Sequence, residues 1–293
     1  MRYKEFEGPV EELVNRKLDE IEKNENVFIL HAVESGSRAW GFASPDSDYD
    51  VRFIYMRRAE DYLKLQPIRD VIEWELDETL DINGWDLQKA LRQYHRSNAT
   101  LFEWANSPVV YRTTEVWKNI HEKASPYFAV KSSLYHYYGT AKKNFLEYLI
   151  GEEVNYKKYF YVIRPVLACL WIEEKQCPPP VLFSELLEAE LGERGTSGVR
   201  TDGIRAAIEA LLKIKAQMPE SGCGPRVEIL NHFIEAEIAH FKEVTDHLPD
   251  DRKEEWEPLN ELFYQLCFGG AFLDTIQGRK GVKSDDSIES DQE

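Results

Sequence analysis

ESGSRAWGFASPDSDYDVR, residues 34–52, joins a Gly-Ser turn to a segment in which one residue separates two aspartates. The apolar run at 27–33 before it and YDVRFIYM at 49–56 both have the length and composition of β-strands. Side chains two apart on a strand point the same way, so Asp48 and Asp50 are expected to present their carboxylates on one face. Two neighbouring carboxylates need a cation, and Mg²⁺ is the expected one because it prefers oxygen ligands.

The turn supplies the second half of a phosphate site. Gly36 lets the backbone approach a ligand closely, while backbone N–H groups and the Ser37 hydroxyl can donate to phosphate oxygens. The segment therefore predicts a cradle for an NTP triphosphate beside metal-binding carboxylates. A pair of ions about 4 Å apart could activate an attacking hydroxyl and hold the leaving pyrophosphate. Arg38 and Arg52 could bind triphosphate oxygens, or Arg52 could pair with one of the aspartates.

The remaining pattern predicts an α+β protein with a helical second half. A small mixed sheet with flanking helices is expected over 1–112, including a strand at 70–76 and a short one at 79–82 before Gly84. An all-helical domain is expected over 113–279, followed by a disordered acidic tail at 280–293. Helical apolar spacing covers an N-terminal segment from Val10 to about Asn26, and the segments 128–150, 154–175, 201–217, 227–248 and 254–275.

Composition excludes several classes of protein. The 293 residues carry a net charge of −17, so no chain-wide basic surface exists for extended duplex DNA. The four cysteines lack CxxC spacing, which argues against a zinc site and a disulfide framework. A secretory h-region and apolar runs of spanning length are missing from the sequence, so we expect no membrane insertion and a cytoplasmic location.

One basic segment stands out in this acidic chain. Residues 131–164 hold six Lys and Arg against three Glu, a local charge of +3. On a helix over 154–175, Lys157, Tyr161 and Arg164 would share one face, with Lys158 adjacent. Such a face could be a phosphate-binding wall or simply a solvated helix surface. 

Three further side chains invite a structural interpretation. Glu103 and Trp104 are expected to anchor the junction between the two halves of the chain. His136 lies among aromatic residues, and a lone histidine there is expected to be a core residue rather than a nucleotide contact.

The succession of strand, Gly-Ser, about ten residues and Asp-x-Asp resembles the DNA polymerase β nucleotidyltransferase superfamily. More of the chain, over about residues 27–190, is similar to a predicted nucleotidyltransferase family called the RNA repair pathway polymerase-β-like family. The segments that carry this resemblance are GSRAWGFASPDSDYDVR, LDINGWDLQKAL, SNATLFEWANSPVVY, YHYYGTAKKNF and KKYFYVIRPVLACLWIE.

The resemblance implies an enzyme that transfers a nucleoside monophosphate from an NTP to a hydroxyl, using Mg²⁺ or Mn²⁺. The implied catalytic metal ligands are Asp48, Asp50 and a third carboxylate between apolar residues. Asp81 and Asp86 both fit that third position, and we prefer Asp81 because a helix N-cap role alone explains Asp86. The residues expected to bind the nucleotide are Gly36, Ser37, Arg38, Arg52, Lys158 and Arg164.

The acceptor is left open by the sequence. An RNA end is one candidate, and a protein is another if the chain is an antitoxin-like enzyme that adenylylates a partner. A catalytically idle, nucleotide-binding regulatory protein of the same fold is the alternative from a different class.

Overall fold

The computed structural model describes residues 6–44, 47–77, 79–192, 202–217 and 222–269. The predicted acidic tail at 280–293 lies outside these ranges. The strands are β1 (Phe28–Ser35), β2 (Tyr49–Met56), β3 (Val71–Asp77), β4 (Leu80–Asp86), β5 (Val110–Thr113), β6 (Glu153–Asn155) and β7 (Cys223–Pro225). The helices are α1 (Val10–Glu25), α2 (Gly36–Ala39), α3 (Ala59–Tyr62), α4 (Leu87–His95), α5 (Ala99–Ala105), α6 (Glu115–Ala124), α7 (Val130–Tyr148), α8 (Tyr156–Lys175), α9 (Phe183–Leu191), α10 (Asp202–Gln217), α11 (Glu228–His247) and α12 (Glu257–Phe268).

The α+β class is confirmed. Five strands form a mixed sheet in the order β3–β4–β2–β1–β5, in which β2 and β4 run parallel and the other neighbours antiparallel. A separate antiparallel pair, β6 and β7, joins the start of α8 to the segment before α11, so the region 113–279 is mainly helical but not all-helical as predicted. None of the helices in the described ranges is long and apolar enough to cross a bilayer.

The fourth strand is longer than the sequence predicted. We expected it to end before Gly84, but β4 continues to Asp86. A Cβ built on Gly84 would overlap the Phe53 ring of β2, so the glycine makes room for an aromatic side chain inside the sheet. Gly84, which was predicted to follow the end of the strand, instead lies within β4 and allows close packing against Phe53 of β2.

Alternation along β2 sends its side chains to two apolar clusters. Val51 and Phe53 pack with α1 on one face, while Ile54 and Met56 pack with α4, α5, α6 and α12 on the other. A third cluster lies within the α7–α11 helices. The division into domains 1–112 and 113–279 stays a prediction, and the packing places α6 and α12 with the sheet rather than with the other late helices.

Asp86 caps the first helix after the sheet. Its Oδ1 accepts the Gln88 N–H at 2.8 Å, and its Oδ2 accepts the Tyr62 hydroxyl at 2.9 Å. The predicted N-cap role is therefore confirmed. The side chain is buried, and burial raises the pKa of the Asp86 carboxyl to about 6, against the opposing effect of these two donors.

The raised pKa predicts how Asp86 affects stability. The folded state holds the Asp86 proton more tightly than the unfolded state, so this group's contribution to the free energy of unfolding falls as pH rises from about 4 to about 6. Asp86→Asn keeps a cap acceptor but cannot ionise. The free energy of unfolding of the variant, relative to that of wild type, is expected to be roughly 2 kcal/mol greater at pH 7 than at pH 4. Urea denaturation at both pH values measures this, and a pH-independent difference would contradict it.

Candidate active site

The parallel pairing of β2 and β4 brings two predicted site residues side by side. Asp50 lies opposite Asp81 in the register. Between them, Nη2 of Arg52 lies 2.9 Å from Oδ1 of Asp50 and 2.9 Å from Oδ2 of Asp81. Asp48 precedes β2 and is exposed. The structure therefore gathers Asp50, Asp81 and Arg52 directly, and places Asp48 at the edge of the group.

Asp50 is surrounded by two other carboxylates and one guanidinium. Burial raises the pKa of its carboxyl, and the charges of Asp81 and Asp48 raise it further, whereas Arg52 lowers it. Three carboxylates and one guanidinium leave the group with a net charge of −2. In the unliganded chain the ionised form of Asp50 is therefore incompletely compensated.

The turn before this group is shaped by a glycine. Gly36 begins α2 with φ of +63°, a backbone conformation that residues with a Cβ rarely adopt. A Cβ built there would overlap Oδ2 of Asp50. Ser37 follows and is buried. The glycine therefore permits both the turn and the close approach of the Asp50 carboxylate.

Arg38 holds the loop that carries Asp48. Its Nε donates to the carbonyl oxygens of Ser47 and Asp48, both at 3.1 Å, and its Nη2 donates to Ser47 O at 2.6 Å. The guanidinium lies 3.7 Å above the Tyr49 ring. Arg38 thus fixes the backbone beside the carboxylates, and its predicted contact with triphosphate stays a prediction.

Sequence reasoning missed Glu34, which supports Asp50 from β1. Glu34 is 1% exposed, and its Oε1 accepts the backbone N–H of Asp50 at 2.7 Å. Its Oε2 accepts the Tyr111 hydroxyl. Burial raises the pKa of the Glu34 carboxyl despite these donors. In the sequence Glu34 stands out only as an acidic residue after an apolar run, and its contact with Asp50 depends on the pairing of β1 with β2.

A cavity of about 360 Å³ opens between this end of the sheet and the helices α7 and α8. Its wall is both polar and aromatic. The lining residues are Ser35, Gly36, Trp40, Asp50, Arg52, Thr100, Glu103, His136, Tyr137, Thr140, Asn144, Phe160, Tyr161, Arg164 and Pro165. The size and the mixture of rings with a few polar groups suit a small planar ligand.

The prediction that His136 is a core residue is wrong. Its side chain is exposed and lines the cavity, and it follows the same α7 face as Thr140 and Asn144, at intervals of four residues. The cavity wall partly desolvates the imidazole, which lowers its pKa. The lowered pKa favours the neutral imidazole, which can both donate and accept a hydrogen bond.

Arg164 is committed to the junction between α5 and α8. Its Nη1 lies 2.8 Å from Oε1 of Glu103, with 4% and 15% of the two side chains exposed, and its other nitrogens donate to Val181 O. Burial alone would raise the pKa of Glu103, but Arg164 and the Tyr137 hydroxyl together lower it. The predicted anchoring role of Glu103 is confirmed. Arg164 lines the cavity from within this network, and its contact with triphosphate stays a prediction.

Lys158 lies at the start of α8, one turn before Tyr161. Its Nζ is 4.2 Å from the centre of the Tyr148 ring and 5.3 Å from that of Tyr161. Tyr161 lines the cavity, and after burial the charges of Asp50 and Asp48 further raise the pKa of its hydroxyl. Lys158 therefore lies beside a ring that lines the cavity, but is not itself one of the lining residues.

Asn144 completes the α7–α8 wall at a proline. Pro165 has no N–H, so the Tyr161 carbonyl loses its partner within the helix. Asn144 Nδ2 donates to that carbonyl at 3.1 Å. The exchange ties α7 to α8 where both line the cavity.

The donor set of the carboxylate group fits a divalent cation, although the side chains are not arranged as a ready-made site. Within the part of the chain that the structure describes, no cluster of three or more His, Cys, Asp or Glu side chains is close enough to hold a metal ion. The oxygens of Asp48, Asp50 and Asp81 are nevertheless the ligand type that Mg²⁺ prefers, and their residual charge of −2 matches one such ion.

Comparison with known proteins gives three findings. The profile described as the RNA repair pathway DNA polymerase beta family matches residues 10–265. The Bacillus subtilis (strain 168) protein named "Uncharacterized protein YcgL" is 41% identical over 250 residues, which cover 84% of this chain and 92% of that protein. A crystal structure of a nucleotidyltransferase-like protein from Exiguobacterium sibiricum 255-15 is 12% identical, covers 93% of this chain and 92% of its own, and has a TM-score of 0.29, too low to support an argument.

Proposed function

Because this chain belongs to the RNA repair pathway DNA polymerase beta family, a polymerase-β-like nucleotidyltransferase family, we propose that it transfers a nucleoside monophosphate from an NTP to a hydroxyl acceptor. The observation that carries this proposal is that Asp50, which lines the cavity, lies opposite Asp81 on the neighbouring parallel strand. The Asp50 carboxylate lies next to Gly36, where the backbone approaches it closely.

The cavity would hold the nucleotide. The rings of Trp40, Tyr137 and Tyr161 offer surfaces for a base, and the His136 imidazole offers a hydrogen-bonding edge. The turn at Gly36 and Ser37 would place backbone N–H groups toward the phosphates. In this arrangement the base enters the cavity and the triphosphate remains at its mouth beside the carboxylates.

The carboxylates would position the reacting groups. Asp48, Asp50 and Asp81 would hold Mg²⁺ or Mn²⁺, and the metal when bound would supply charge stabilisation for the attacking oxygen and the leaving pyrophosphate. The acceptor oxygen forms a bond to the α-phosphorus, and the bond between that phosphorus and the β-bridging oxygen breaks. Asp81 would accept the proton that the acceptor hydroxyl loses.

The two predicted cations of α8, Lys158 and Arg164, differ in how freely they could bind a triphosphate. The Lys158 ammonium group contacts the rings of Tyr148 and Tyr161. It can therefore turn toward a triphosphate without breaking an ion pair to any residue in the described ranges. Arg164 would have to share its guanidinium with Glu103. We therefore assign Lys158 to the triphosphate and give Arg164 the role of shaping the cavity wall beside it.

One experiment would identify the acceptor. Purified protein is incubated with each α-labelled NTP, Mg²⁺ or Mn²⁺, and either short RNAs or a cell lysate, and the labelled macromolecule is identified. Labelled RNA 3′-ends support an RNA acceptor, which the family description favours. Label on a protein supports the antitoxin-like alternative. Pyrophosphate release that stays at background with every NTP would overturn the proposed transfer and favour the idle, nucleotide-binding alternative.

A further inference from the structure

We propose that Arg52 is a built-in counter-cation of the carboxylate group and competes with the divalent cation for Asp50 and Asp81. The inference rests on the proposed function, because it concerns the same carboxylates. This role differs from the predicted contact with triphosphate. In the unliganded protein, the Arg52 guanidinium holds Asp50 and Asp81 together until a metal ion replaces it.

The geometry places one nitrogen where a bridging cation would bind. Nη2 of Arg52 is equally distant, at 2.9 Å, from one oxygen of Asp50 and one of Asp81. A metal ion that joins these same two oxygens must occupy much of the same space. Simultaneous occupation would also set a guanidinium and a doubly charged ion against each other at short range.

The backbone holds the guanidinium in this position. Nη1 of Arg52 donates to Val51 O at 3.1 Å and to Asp81 O at 3.4 Å, and the side chain is 18% exposed. Asp50 and Arg52 are two apart on β2, so they share a face of the sheet. The sequence thus places a cation permanently beside the proposed metal ligands.

Metal binding then requires an exchange of partners. Arg52 would release at least one carboxylate when that carboxylate held the metal, and would keep its charge but turn away. Removal of Arg52 should therefore strengthen binding of the metal alone. A residue that merely supports the carboxylates would have the opposite effect, because its loss would disorder the ligands and weaken metal binding.

The test measures Mn²⁺ binding to the full-length protein without nucleotide, by the loss of the free Mn²⁺ electron paramagnetic resonance signal at low ionic strength. Arg52→Gln is expected to lower the dissociation constant at least about tenfold relative to wild type. Arg52→Met, which keeps the apolar stem, is expected to do the same and provides a second variant if Arg52→Gln folds poorly.

Arg112 provides a matched control. It also lies on a strand, is also 18% exposed, and also joins two carboxylates, Asp19 and Glu22, but through α1 and away from the cavity. Arg112→Gln is expected to leave Mn²⁺ affinity unchanged. Equal or weaker Mn²⁺ binding by both Arg52 variants would overturn the inference.

Asp50→Asn in the same titration distinguishes failure of the proposed competition from failure of the proposed metal site. If this variant loses the Mn²⁺ binding of wild type while Arg52→Gln leaves it unchanged, the competition is wrong and the metal site stands. If wild type, Asp50→Asn and Arg52→Gln all fail to bind Mn²⁺, the metal site of the proposed function fails together with the inference. Label transfer from NTP is scored independently of either result.

Discussion

Asp50→Asn is expected to lower nucleotidyl transfer at least about 10³-fold while the protein stays folded. Asp50 faces Asp81 across the parallel strands and touches the turn at Gly36, so it is the carboxylate that links the phosphate turn to the proposed metal ligands. An amide keeps the shape of the side chain but removes its charge. Pyrophosphate release and label transfer measure the loss.

Stability distinguishes this effect from unfolding. Burial and the neighbouring carboxylates raise the pKa of Asp50, so ionisation of this carboxyl costs the folded state more free energy than it costs the unfolded state. Loss of the charge offsets loss of the Arg52 ion pair, and the free energy of unfolding is expected to stay within about 1 kcal/mol of wild type. Asp19→Asn, an exposed aspartate that also pairs with an arginine, is the control and should keep full activity. Transfer within tenfold of wild type for Asp50→Asn would contradict the prediction.

The local part of the site could be predicted from the sequence because it depends on short-range periodicity. The strand alternation that aligns Asp50 with Arg52 needs only two-residue spacing. The preference for Asp81 over Asp86 followed from helix capping, and Asp86 does cap α4. Apolar spacing also located the long helices α7, α8 and α11 to within a few residues.

Contacts between distant segments could not be predicted in this way. Glu34 supports Asp50 only because β1 and β2 pair antiparallel, and Arg164 is neutralised by Glu103, which is 61 residues away. The packing of α12 beside the sheet, 170 residues after β4, similarly leaves no periodic trace in the sequence. His136 was misplaced for the same reason, since the cavity that exposes it forms between elements that are far apart in the chain.

Gly36→Ala is expected to reduce transfer about 10²- to 10³-fold, although position 36 carries no functional side chain. The added Cβ would overlap Oδ2 of Asp50, so either the carboxylate or the turn must move. The φ of +63° adds backbone strain, which we expect to lower the free energy of unfolding by about 1 kcal/mol. Label transfer and urea denaturation of the same preparation measure the two effects.

Gly139→Ala separates geometry at the site from a general effect of adding a methyl group. Gly139 lies within α7, and a Cβ built on it meets nothing within 4 Å. Alanine is the better helix former, so this variant is expected to gain about 0.5–1 kcal/mol of stability and keep its activity. If Gly36→Ala loses transfer and also weakens Mn²⁺ binding, the displaced group is the Asp50 carboxylate, since the backbone donors of the turn do not bind the metal. Wild-type activity in Gly36→Ala would mean that the close approach of Gly36 to Asp50 has no part in catalysis.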